Sequence, residues 1–263
     1  MADSTIPPTD LRVYLLVEDL QPQFAAYLGT PTRARGYPPF VGDHALIIEV
    51  APALAIERVI DLALRETDEV EPGILFVERQ FGVLEIHGRS LEAVTSAGEA
   101  ILRGIGAEAS DQLRPRVLYA DVIEDITDQH AVILNRNRQG SMLMPGSSLL
   151  VYEMTPALFA AVAANEAERA APGITVVDVQ LIGAAGRLYL SGTTEEVERA
   201  RDRIRDATAA YRARQADDLV REAELWLHGR KILLPGDRPL RELARKAFTV
   251  TVPAPGAPNG VPA

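Results

Sequence analysis

The sequence predicts an α+β fold built from two tandem modules of about 100 residues each, and three observations carry that prediction. The first is an internal repeat. Sliding the chain by 104 positions lays Gly42, Glu49, Pro52, Ala53, Leu54, Ala63, Gly82, Leu84 and Gly88 on Gly146, Glu153, Pro156, Ala157, Leu158, Ala167, Gly186, Leu188 and Gly192, without a gap. Matches at glycine and proline weigh most, because those residues fix backbone geometry. The second observation is the order of apolar patterns in each copy, one helix for each pair of strands. That order suits an antiparallel-rich sheet carrying its helices on one side. The third is length: 263 residues exceed one ordinary domain and are enough for two small ones with real cores.

Each module opens on a strand-like segment, Leu11–Glu18 and Arg116–Ile123, followed by a polar connection. Next comes a buried strand, Ala45–Val50 and Leu149–Met154, ending in proline. Pro52 and Pro156 suit the first turn of a helix, where a missing N–H costs nothing, and Ile56, Val59, Ile60 and Ala63 recur at helical spacing behind the first. Two further strands follow, Gly73–Val77 and Val83–His87 in one copy, Ile174–Ile182 and Arg187–Ser191 in the other. A second helix closes each copy, marked by Leu91, Val94, Gly98 and Ile101, and by Val197, Ala200, Ile204, Ala207 and Tyr211. The resulting division is a flexible N-terminus over 1–10, modules over 11–108 and 113–212, and a C-terminal extension over 213–263, disordered from about 253. Leu219, Ala223 and Trp226 lie at helical spacing in that extension, which either packs back on its own modules or meets a neighbour or cargo.

Composition narrows the function. Hydrophobic residues make up 47% and charged residues 24%, and no apolar run approaches the roughly 18 residues that span a bilayer. There is no cysteine, which excludes disulfides, iron–sulfur clusters and thiol catalysis. Met1–Asp10 lacks the basic and apolar regions of a secretory leader, so the expected compartment is the cytoplasm. A formal charge of −10 argues against nucleic acid or an anionic membrane as partner. His44, His87, His130 and His228 stand apart without zinc-site spacing, and no phosphate loop, dinucleotide fingerprint or nucleophile elbow is present. No cofactor, no metal and no catalysis are expected.

The segments Arg12–Phe24, Glu49–Leu54, Val77–Gly82 and Asn135–Ser141 together resemble the tandem-domain shell proteins of bacterial microcompartments, in particular the circularly permuted type first associated with carboxysomes. The resemblance covers about residues 11–212. It implies two fused, permuted, ferredoxin-like shell domains (BMC domains) per chain. Three chains would close into a pseudohexameric trimer with a central pore, and many such tiles would form a protein shell in the bacterial cytoplasm. Partners would be further copies of the chain, including trimers stacked face to face, other shell proteins of the same microcompartment, and small polar metabolites passing the pore.

The resemblance also assigns residues. The loop after the second strand of each domain is the family's pore loop, here Glu78, Arg79, Gln80, Phe81 and Gly82 in module one and Ile182, Gly183, Ala184, Ala185 and Gly186 in module two. Glu78 and Arg79 take the gate position; a local pair at a loop bend is the other reading of them. Tile-edge positions fall on Asp61 and Arg65 in the first helix of module one and on Asn165 and Arg169 in module two. Spacing of four puts each pair on one helix face, so an ordinary surface ion pair is the other reading. Arg136, Arg138 and the segment Thr32–Pro39 could form interface loops or plain solvated turns. Two functions of different class therefore stand: a gated structural tile, and a cytoplasmic small-molecule-binding regulator made of two ferredoxin-like modules.

Overall fold

The computed structural model describes residues 8–30, 36–137 and 140–211. The expectations for residues 1–7, for Arg138, for the first half of Thr32–Pro39, and for the C-terminal extension with Trp226 and His228 lie outside the described residues.

Module one runs β1 (Asp10–Val17), α1 (Pro22–Leu28), β2 (His44–Ala51), α2 (Ile56–Glu66), β3 (Glu71–Glu78), β4 (Phe81–Gly88) and α3 (Leu91–Ile105). Module two repeats it as β5 (Arg116–Ile123), α4 (Asp128–Asn137), β6 (Ser148–Thr155), α5 (Phe159–Ala170), β7 (Thr175–Gln180), β8 (Gly186–Gly192) and α6 (Thr194–Ala209). The sheets have orders β1-β2-β4-β3 and β5-β6-β8-β7, and every ladder is antiparallel. The repeat extends to backbone detail. Gly42 and Gly146 adopt φ of 85° and 79°, Asp19 and Asp125 adopt 54° and 49°, and the peptide bonds before Pro52 and Pro156 are both cis.

Four local expectations need correction. The prolines do not open helices: Pro52 sits extended before a short 3-10 turn, Ala53–Ala55, and α2 and α5 begin only at Ile56 and Phe159. The polar connections after β1 and β5 contain α1 and α4. A helix as short as the seven-residue α1 is not stable by propensity, and it is held instead by burying Phe24, Ala25 and Leu28. β7 stops at Gln180, because Leu181 and Ile182 leave the ladder for the loop. Lastly, helices do not cover a single side of sheet one.

Sheet one is buried on both faces. Leu11, Leu46, Ile48, Val50, Leu84 and Ile86 face α2 and α3 through Ile56, Val59, Ala63, Val94, Ala97 and Ile101. The alternate residues Val13, Leu15, Val17, Ala45, Ile47 and Val83 join a core that contains α1 and much of α5 from module two. This is the period of two in a strand used twice over. In sheet two, Leu150, Tyr152, Met154, Leu188 and Leu190 face α5 and α6, while the other face holds only a small cluster around Ile126, Ala131, Leu143, Leu149 and Val177. The segment between modules lies along the edge strand β1, with Leu113 N–H donating to Arg12 O at 2.9 Å and Tyr14 N–H to Gln112 Oε1 at 3.0 Å. An edge that would otherwise present open backbone groups is thereby covered.

The glycines shared by the two copies have a packing reason. A Cβ on Gly82 would lie 2.3 Å from Ala53 O and 2.4 Å from Ile56 Cβ, and one on Gly186 would lie 2.1 Å from Ala157 O. The strand start passes directly over the turn that begins α2 or α5, and only a glycine fits. Gly82→Ala is therefore expected to cost about 1–3 kcal/mol through forced backbone displacement. Chemical denaturation of the variant checks this; an unchanged midpoint would mean that the turn can yield.

Candidate functional site

The β3–β4 connection is a two-residue turn, with Glu78 paired to Phe81 across it and Arg79 and Gln80 at its tip. Arg79 is exposed and adopts φ of 47°, a left-handed conformation that costs a non-glycine residue roughly 1–2 kcal/mol. An arginine thus stands at a hairpin tip where glycine or asparagine would be at ease. Gln80 Oε1 is buried without a hydrogen-bond partner. The Arg12 guanidinium lies 3.7 Å from the centre of the Phe81 ring and Nε donates to Glu49 Oε1 at 2.6 Å. Burial pushes the Glu49 carboxyl above its ordinary range, and Arg12 works against that push. The buried Arg12–Glu49 pair thus fixes the base of the turn.

The equivalent loop of module two, 181–185, has another character. Gly183 adopts φ of 129° with open space around it, and Gly183 and Ala184 are exposed. Ile182 is half-buried and, with Leu181 and Leu158, faces Ile47, Ile74, Val83 and Glu85 of module one around a small internal void. Of the ten loop residues expected to act together, the structure sets five in one hairpin and five at the equivalent end of the other sheet. Gly82 and Gly186 are buried packing positions.

The two helix pairs behave differently. Asp61 and Arg65 are exposed and pair with one another at 2.7 Å. Asn165 is 1% exposed, and its Oδ1 accepts Gln21 N–H at 2.8 Å, while Arg169 donates to Glu18 O at 2.5 Å and Asp19 O at 3.1 Å. Asn165 is thus no edge residue; the β1–α1 corner of module one already covers it. Glu168, which the sequence did not single out, completes this seam by accepting Gln23 N–H at 2.9 Å and Phe24 N–H at 3.1 Å. Its carboxylate meets the N–H groups that have no partner within the helix at the start of α1, where a negative charge is favoured.

Also unforeseen is a buried acid–imidazole pair. Glu85 and His87 share one face of β4 at 1% and 2% exposure, with His87 Nδ1 3.0 Å from Glu85 Oε1. Two ionisable residues at i and i+2 in an otherwise apolar strand were the available signal. Gly73 is needed beside them, since a Cβ there would lie 2.0 Å from Glu85 Oε2.

Comparisons with known proteins agree with this architecture. A family model described as the CsoS1D N-terminal domain matches residues 11–111. The carboxysome shell protein CsoS1D of Prochlorococcus marinus subsp. pastoris is 42% identical over 211 residues, covering 80% of this chain and 78% of its own. The carboxysome shell protein CcmP of Synechococcus elongatus is 39% identical over 188 residues, covering 72% and 86%. Among solved structures, a double-ringed trimeric shell protein from the RMM microcompartment is 73% identical with a TM-score of 0.74, over 77% of this chain and 97% of that one. A fused permuted hexameric shell protein from the same microcompartment is 47% identical with a TM-score of 0.75, over 78% and 100%.

Two fused, permuted α+β modules of this kind define a tandem BMC-domain shell protein. The chain belongs to the CsoS1D family of microcompartment shell proteins, and its role is structural, in the shell of a cytoplasmic bacterial microcompartment. The small-molecule regulator receives no support from these relatives.

The buried pair sets a pH dependence. Burial raises the Glu85 carboxyl above its ordinary 4.5, against the His87 hydrogen bond. Burial alone would lower His87, but Glu85, Asp43 and Glu71 outweigh it and raise the imidazole above 6.5. Both groups hold protons more tightly when folded, so their stabilisation is complete below the unfolded values and is lost as pH rises through the folded ones. The melting temperature is expected to fall between pH 6 and 8.5, and Glu85→Gln to flatten that slope; an equal slope in the variant would remove the pair as its source.

Proposed function

We propose that three chains close into a flat pseudohexagonal tile by using one seam twice, once inside each chain and once between chains, with the units 11–108 and 113–212 as its six sectors. The observation that carries this is an unfilled copy of the internal seam. Leu158, in the turn before α5, and Glu168, in α5, are 1% and 4% exposed against module one; their counterparts Leu54, in the turn before α2, and Leu64, in α2, are 73% and 42% exposed. On the receiving side, β1 is almost wholly buried, whereas β5 is exposed along most of its length, with Tyr119 at 55%. Tyr27 of α1 donates to Val179 O across the internal seam, while its counterpart Ile133 on α4 is 60% exposed. A chain with one half of a heterologous contact at each end must form a ring or a filament. Burying a large apolar side chain contributes about 1.5–3 kcal/mol, so these residues together support a stable ring. The trimeric neighbour at 73% identity favours closure at three.

In that ring the β3–β4 turns converge on the axis, and Glu78 and Arg79 act as the gate. Three carboxylates close together would repel, at roughly 4 kcal/mol per pair 4 Å apart in a medium of effective dielectric about 20. Alternating Glu78 with Arg79 from neighbouring chains removes that penalty and closes the opening; turning them outward leaves a hole lined by backbone and small residues. The module-two loops, with Gly183 and Ala184 exposed, add no charge. The tile's chemistry is the passage of small polar metabolites rather than bond making, and its other partners are further shell proteins of the same compartment. The 73% identity to a protein of the RMM microcompartment, against 42% to a carboxysome protein, favours a shell of the former kind. Trimers stack in face-to-face pairs, as the double-ringed description of that neighbour suggests.

Light scattering of the full chain is expected to give three times, or six times, the 28.5 kDa chain mass, and Ile133→Asp to give monomers. A wild-type monomer, dimer or tetramer would sink the ring. Glu78→Ala combined with Arg79→Ala should leave the trimer intact and raise passage of a small anion through reconstituted tiles; loss of assembly would make the pair structural and end the gate.

A further inference from the structure

At the end of sheet one opposite the β3–β4 turn, about 23 Å away along β4, an open cleft of about 500 Å³ is walled by Phe40, Asp43, Asp68, Glu69, Glu71 and His87, with Arg89 beside them. That volume lies in the range of small-molecule sites. Four of the walls are carboxylates, and such a cluster alone would be an ordinary solvated surface. His87 makes it more. The imidazole is 2% exposed, its Nδ1 is held by Glu85, and its Nε2 has no hydrogen-bond partner, Glu71 Oε2 standing 3.9 Å away. A buried polar atom left unsatisfied costs about 1–3 kcal/mol, and the ring that carries it is one wall of the cleft. With Nδ1–H donated to Glu85, the neutral ring keeps its Nε2 lone pair as an acceptor.

The charge balance says what would fill the site. Asp43, Asp68, Glu69 and Glu71 share the cleft with two basic side chains, His87 and Arg89, so it attracts a cation. Among the described residues no three His, Asp or Glu side chains are placed to hold a metal ion. The cation must therefore bring its own directional donors. Phe40, 63% exposed on the rim, offers an aromatic face to a hydrocarbon or an ammonium group.

We propose that this cleft binds a small organic cation bearing a primary ammonium group, donating to His87 Nε2 and to the carboxylates of Glu71 and Asp43, with its hydrocarbon part on Phe40. Module two carries Tyr189 and Ser191 where module one has Glu85 and His87, so there is one site per chain. The ligand and the His87 proton compete for the same cage of carboxylates. Affinity therefore rises with pH until the ring is neutral, and binding releases a proton.

Calorimetry on the full-length chain tests this with propylammonium chloride and 1,4-diaminobutane as probes, and 1-propanol and magnesium chloride as controls. The expected result is saturable binding of the ammonium probes at one site per chain, tighter at pH 8 than at pH 6, with none for propanol. Glu69→Gln with Glu71→Gln alters only exposed positions and should weaken binding at least tenfold; His87→Gln should abolish the pH dependence. If His87→Gln fails to fold, the double variant decides. Absence of saturable ammonium binding, binding that survives the double variant at full strength, or binding of magnesium alone would each overturn the proposal.

Discussion

The arrangement depends on one contact: α5 of module two lying across the back of sheet one, pinned by Asn165, Glu168 and Arg169 to the β1–α1 corner. Without it, Val13, Leu15, Ile47 and Val83 would face water, and a chain of two modules would be two marginal domains on a tether. The contact uses backbone N–H and C=O groups left over where β1 ends and α1 begins. Those groups need partners in any case, so three side chains satisfy the corner and join the modules together.

Much of the architecture was legible because repeats concentrate information. A glycine repeated at the same offset has the same reason to be glycine, and Gly82 with Gly186, each beneath a helix-opening turn, are the clearest case. Strand patterns survived translation into structure for the same reason. What could not be read locally were features set by tertiary contact. Helix α1 exists because Phe24 and Leu28 find a core in the other module, and Pro52 and Pro156 are placed by the strand-to-helix turn rather than by the helix.

The site was legible in part. A charged pair beside a shared glycine singled out the β3–β4 turn, but not that Arg79 occupies a left-handed position or that a buried Arg12–Glu49 pair underlies it. Asp61 and Asn165 align in sequence yet differ wholly in environment, one exposed and one buried. Sequence equivalence cannot distinguish them, because the difference lies in which partner is already present. The same reasoning turns a defect into information: in the proposed ring, the exposed face of α2 and the bare β5 become halves of a contact whose completed form is visible elsewhere in the chain.

The most direct test exploits the absence of cysteine. Asn165 and Gln21 touch across the internal seam, and their counterparts are Asp61 and Thr127. A chain carrying Asp61→Cys and Thr127→Cys, oxidised and run under denaturing conditions, should give a covalent trimer that reverts to single chains on reduction. Monomers alone, or dimers that never advance to trimers, would contradict a seam used twice.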